Sequence, residues 1–159
     1  MNKVSLLHSI FLPMFLFIIL VHMENSRADW AINTTSHHWN DEDGCGNDDG
    51  CNEINPGLQY DWDINEHLDI WTGFAWNSEK KISVYGGPAL EICESILCVG
   101  VVGGVATGYN RGATALDILG ICGPFVEFVY FGFGARVIYL PGDLIADEEG
   151  ALLFQLVFD

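Results

Sequence analysis

Apolar and polar residues alternate with a period of two along most of the chain beyond residue 29. Residues 57–64 are the clearest case: Leu58, Tyr60, Trp62 and Ile64 fall on one face, and Gln59, Asp61 and Asp63 on the other. This is the spacing of a β-strand with two unlike faces. Residues 68–77 repeat it, with Leu68, Ile70, Phe74 and Trp76 opposite Asp69, Gly73, Ala75 and Asn77. Residues 131–140 set Phe131, Phe133, Ala135, Val137 and Tyr139 against Gly132, Gly134, Arg136 and Ile138, and residues 151–158 carry Leu152, Phe154, Leu156 and Phe158 on one face. Segments 30–39, 82–92, 97–108 and 116–130 supply four more strands. The last contains Pro124, which lacks an N–H and predicts a bulge or a gap in pairing.

The connections have their own order. Those at 40–55, 78–81, 109–115 and 141–150 are polar, whereas those near 65–66, 93–97 and 131 are short turns. Long loops at one end, short turns at the other and an even number of strands of roughly nine to eleven residues are the marks of an outer-membrane barrel. A soluble sandwich would point charge outward and grease inward. Here the face opposite the continuous apolar one carries Gln59, Asp61, Asp63, Asp69 and Arg136. The pattern therefore predicts an all-β fold, an eight-stranded antiparallel transmembrane β-barrel with a narrow or plugged lumen. Its loops face outward from a bacterial outer membrane.

Residues 1–28 read as a cleaved signal peptide: Lys3 in a charged start, an apolar run over 4–21, and Ser26-Arg27-Ala28 with small residues at −3 and −1. Residues 29–159 are then one barrel domain. An uncleaved anchor helix is the other reading of the same run.

The chain has 159 residues, with 22 acidic against 6 basic, and half of its residues are hydrophobic. Such a charge excludes nucleic-acid binding by phosphate neutralisation. The two properties are compatible if acid sits in loops and apolar residues in strands. Loop 40–55 gathers Asp41, Glu42, Asp43, Asp48, Asp49 and Glu53, without the spacing of a calcium-binding loop, and reads as solvated. No motif calls for a metal or cofactor. All five cysteines follow the leader, in a compartment where disulfides persist. The local pairs Cys45–Cys51 and Cys93–Cys98 are the simplest connectivity. The second pair flanks a four-residue connection, and Cys122 is left free within a strand.

Three residues could carry chemistry at the loop end. Alternation groups Thr34, Ser36 and His38 on the lumen face of the first strand, where a neutral imidazole could act as a general base. Asn77 and Ser78 end the third strand, and a Ser beside a His could serve ester chemistry. In the sixth and seventh strands, a two-residue turn at 131–132 would set Glu127 opposite Arg136, both on the lumen face.

Several of these residues resemble the lipid A palmitoyltransferase (PagP-type) barrels and their small relatives. Tyr139-Leu140-Pro141-Gly142 before a polar loop and an aromatic last strand is similar to that family's Tyr-Ile-Pro-Gly ending. Pro124 matches a family proline in its distance from this motif. Asn52-Glu53 resembles its Tyr-Asn-Glu segment, with His38 at the spacing of the family's histidine. Asn77-Ser78 followed by Tyr85-Gly86 resembles its Asp-Ser then Tyr-Gly arrangement. The resemblance implies acyl transfer from a phospholipid to lipid A, with lipopolysaccharide and phospholipid as partners of a membrane-embedded monomer. It implies His38 as base, Ser78 as hydroxyl partner and a chain pocket floored near Gly86, although alternation turns Gly87 toward the lumen. Asn77 stands where the family has Asp, and an amide neither accepts a proton nor holds a negative charge. The alternative is a non-enzymatic barrel that presents its acidic, disulfide-closed loop to an external partner.

Overall fold

The computed structural model describes residues 28–39, 51–109, 118–141 and 150–158. They form eight strands: β1 (Ala28–His38), β2 (Ile54–Asn65), β3 (Leu68–Trp76), β4 (Ile82–Glu94), β5 (Leu97–Ala106), β6 (Leu119–Tyr130), β7 (Phe133–Leu140) and β8 (Ala151–Phe158). Each pairs antiparallel with its neighbour in sequence, and β1 pairs with β8, so the sheet closes into a barrel. Closure gives every strand a neighbour on both sides, as crossing a membrane with strands requires. The predicted leader lies outside the described residues except for Ala28, which opens β1.

The turns at one end are as short as the sequence implies. Phe131 and Gly132 make the β6–β7 turn with φ of 52° and 76°, the two left-handed positions that a tight hairpin needs. Between β4 and β5 the connection is shorter than expected. Glu94 pairs with Leu97, so only Ser95 and Ile96 turn, and Cys93 and Cys98 are direct cross-strand partners. Their sulfurs are bonded. Cys122 is free on the outer face. The expected Cys45–Cys51 bridge involves Cys45, which lies outside the described residues.

Burial follows the predicted inversion. Phe74, Val84, Leu90, Val126 and Phe133 face outward and are exposed, whereas Gln59, Asp61, Asp69, Glu127, Arg136 and Gln155 are buried in the lumen. Aromatic residues gather at both rims of the outer face: Trp30, Tyr60 and Trp62 stack at the turn end, and Trp39 meets Tyr139 at the loop end. Such girdles lie at the two membrane interfaces of spanning barrels.

One expectation for β1 is corrected. The register shifts between Asn33 and Thr35. A bulge adds one residue and switches the alternation, so Asn33 and Ser36 both point into the lumen. Thr34 instead donates from its hydroxyl to the Phe154 carbonyl at 3.0 Å. Ser36 and His38 keep the predicted face.

The middle of the lumen is closed by a polar layer. Glu127 is the Cα partner of Arg136 across the β6–β7 hairpin, as the two-residue turn requires. The guanidinium donates through Nε to Glu127 and through Nη1 to Asp61 of β2 at 2.7 Å. The sequence foresaw the first carboxylate and not the second. Beside them Gln155 donates to Asn33 at 2.6 Å and to Gln59 at 2.8 Å, and Gln59 donates to Asp61 at 2.7 Å. Each charge here is buried, so each needs its partner.

This layer gives a quantitative expectation for urea titration in detergent. Arg136→Met leaves two carboxylates without their cation and should destabilise the barrel by about 3–5 kcal/mol. Glu127→Gln leaves Arg136 paired with Asp61 and should cost roughly 1–3 kcal/mol. The double variant should be less destabilised than the sum of the two, whereas simple additivity would mean that the groups do not interact.

Candidate functional site

Above the charged layer, at the loop end, the lumen opens into a cavity of about 100 Å³. Its two halves differ in chemistry. The β1–β4 side presents Ser36, His38, Asn55, Ser78, Ser83 and Tyr85. The β5–β8 side presents Val102, Ile121, Ile138, Leu140 and Leu153. Trp71 closes the bottom, stacked at 5.2 Å against Tyr85. Its indole N–H lies 3.2 Å from the Pro88 carbonyl and 3.3 Å from that of Gly103. Those carbonyls belong to the stretch where the β4–β5 ladder is interrupted, between Gly86↔Val105 and Ala89↔Val102.

The structure brings His38, Asn77 and Ser78 to the wall of this one cavity. Their roles differ from a simple triad. The Asn77 amide is spent on the turn it begins: Nδ2 donates to the Gly108 carbonyl at 2.9 Å, and Oδ1 accepts from the N–H groups of Glu79 at 3.0 Å and Lys81 at 2.9 Å. It is a staple for the β3–β4 connection, a common use of Asn in turns. Lys80 within that turn has φ of 59°. The turn is also tied to the end of loop 40–55. The Asn52 N–H donates to the Ser78 carbonyl at 2.9 Å, and Asn55 Nδ2 donates to the carbonyls of Asn52 and Trp76.

The Asn55 amide sets the state of His38. With Nδ2 facing two carbonyls, Oδ1 faces Ser36, whose hydroxyl donates to it at 2.5 Å. Ser36 has a single proton, so its oxygen accepts from His38 Nε2 at 3.1 Å. Nε2 therefore carries a proton, and a neutral ring keeps its lone pair on Nδ1. Ser36 and Asn55 thus orient the ring that the sequence picks out. The spacing of Ser36 and His38 on one strand face was a legible signal for the first. Asn55, at the start of β2, had no such signal.

The two glycines stand elsewhere. Gly86 alternates with the exposed Val84 and Pro88, and Gly87 faces the lumen. A Cβ on Gly87 would lie 2.0 Å from the Gly103 carbonyl oxygen, so this position serves the close approach of β4 and β5. Neither residue is on the cavity wall. Trp71, Ser83 and Ile138 hold the positions that form it.

The wall also has a seam. Pairing of β6 with β7 runs from Tyr130↔Phe133 to Phe125↔Ile138 and stops. Pro124 is the first residue past the break, where the sequence placed a gap. On this side residues 119–124 have no ladder partner among the described residues, and Ile121 and Leu140 of the cavity flank the seam.

Among solved structures, the chain is similar to a de novo designed transmembrane β-barrel, with a TM-score of 0.60 at 14% identity over 82% of this chain and 93% of that one. It is also similar to the outer membrane protein Ail of Yersinia pestis, determined in a phospholipid bilayer nanodisc, with a TM-score of 0.47 at 16% identity over 82% of this chain and 97% of that one. No family model and no curated protein sequence matches it. At these identities the likeness is one of fold, and the fold is that of a transmembrane β-barrel.

Proposed function

We propose that this protein is an outer-membrane barrel that takes the acyl chain of a lipid into its loop-end cavity. The observation that carries the reading is the division of that cavity into an apolar and a hydrogen-bonding half above a sealed floor. A pore has no use for an apolar wall over a plug, and a purely structural barrel fills its lumen with side chains. An acyl chain with a polar head fits both halves.

Acyl transfer from phospholipid to lipopolysaccharide is the activity this site could support, as the resemblance implies. What favours it is that His38 and Ser78, from different elements, share one cavity with an apolar wall. His38 would act as the base on a hydroxyl, with Ser36 and Asn55 holding the ring. Asn77 contributes by fixing the turn that presents Ser78. The competing reading, an acidic loop for an external partner, concerns residues 40–50, which lie outside the described residues.

Mass spectrometry of lipid A from cells with and without the protein tests the transfer. The expected result is one additional acyl chain, absent with His38→Ala. Unchanged lipid A would end the enzymatic reading while leaving lipid binding to be judged by chain uptake. Asn77→Ala should lower stability to urea by about 1–2 kcal/mol, because it leaves two backbone N–H groups and a carbonyl without partners. A fully stable Asn77→Ala protein would contradict the role given to Asn77.

A further inference from the structure

Most hydrogen-bonding groups on the polar wall of the cavity are spent on one another. Asn55 and Asn77 use both ends of their amides. Asn33 donates to Tyr85 and accepts from Gln155. Ser36 donates to Asn55 and accepts from His38. Two hydroxyls on β4 are left over. Ser83 is 2% exposed and on the cavity wall, and its Oγ has no hydrogen-bond partner among the described residues. Tyr85, two residues on along the same face, accepts from Asn33 at 2.5 Å and keeps its own proton to donate. Their attachment points are roughly 7 Å apart along the strand.

An enclosed hydroxyl without a partner is a standing cost to the fold, and such groups are rare. Oγ is closed to a water-sized probe where it stands, so it gains a partner when the Ser83 side chain turns about χ1 toward the cavity that the residue lines. A ligand drawn in by apolar contact would supply that partner. The unspent capacity is hydroxyl: Ser83 and Tyr85 each keep a proton to donate. The apolar wall of Val102, Ile121, Ile138 and Leu153 offers no acceptor for them. The complementary molecule has a hydrocarbon chain that ends in an acceptor oxygen able to take both protons.

We infer that Ser83 recognises the carbonyl oxygen of an acyl group, in an ester or a free acid, with the Tyr85 hydroxyl as a second donor one step deeper. This rests on the lipid-binding reading above and names the part of the lipid that the site reads. Ser83 donates one hydrogen bond, and no bond is made or broken.

The test uses the full protein in nanodiscs of ether-linked phospholipid, which contain no ester carbonyl to compete. The probes are methyl palmitate and palmitic acid, each ¹³C-labelled at the carbonyl, and ¹³C-labelled hexadecane as a chain without one. In the wild type, the carbonyl signal of the ester, the acid or both should move downfield on binding, and the probe that moves identifies the source. Ser83→Ala should reduce this shift to what Tyr85 alone supplies and weaken carbonyl binding about three- to tenfold, leaving hexadecane unaffected. Ser83→Thr should restore both. Ser83→Cys, similar in size with a weak donor, gives the same comparison if the alanine variant lacks the heat-modifiable mobility of a folded barrel. The inference is overturned if Ser83→Ala binds methyl palmitate and palmitic acid with wild-type affinity and shift, or loses hexadecane equally. If the wild type takes up none of the three chains, the lipid-binding reading itself fails.

Discussion

The barrel depends on one buried cation. Arg136 sits in a lumen with no other described Lys or Arg, and its guanidinium serves carboxylates from two places, Glu127 across its own hairpin and Asp61 on the opposite wall. Taking these three charges out of water is costly, and only mutual pairing with full hydrogen bonding offsets it. The layer therefore fixes geometry. A slip of one residue in β6, β7 or β2 would turn a charge toward lipid. The amides of Gln59, Gln155 and Asn33 complete the layer, which seals the lumen at mid-height and leaves the Gln155 Oε1 without a partner among the described residues.

This seal makes the rest of the lumen a site. Below it the barrel is narrow, charged and closed by short turns. Above it, small inward residues such as Ala75, Ala106 and Ala151 leave space that larger side chains would fill. The result is a blind cavity with a hydrogen-bonding half on β1–β4 and an apolar half on β5–β8. The loop-end polar residues are organised by Asn55 and Asn77, two amides whose work is to hold backbone in place. Through them a histidine and a serine distant in sequence come to the same wall.

Much of this was legible from alternation, because a membrane outside and a polar layer inside invert the usual pattern so clearly. Pro124 marked the end of the β6–β7 ladder, since a residue without an N–H cannot extend it. The Glu127–Arg136 pair was legible because a two-residue turn fixes the register of everything beside it. Asp61 was not, because it reaches Arg136 across the lumen, and no local pattern encodes that distance. Trp71 was hidden for another reason. It occupies an inward position yet is apolar, so a reading by polarity gave it no role, although it floors the cavity. The displaced Thr34 came from a bulge that strand alternation does not announce. The resemblance pointed to Gly86, whereas the backbone approach of β4 to β5 explains the paired glycines.

The central claim is that a lipid chain occupies the lumen above the Arg136 layer. The most direct measurement is of nuclear Overhauser contacts between lipid acyl protons and labelled methyl groups of the protein in a phospholipid nanodisc. Val84 and Leu90, on the outer face, must show them in any spanning barrel. Ile138 and Val102, inside the cavity, should show them too, with no contact to water. Acyl contacts confined to Val84 and Leu90, with water at Ile138, would contradict the account.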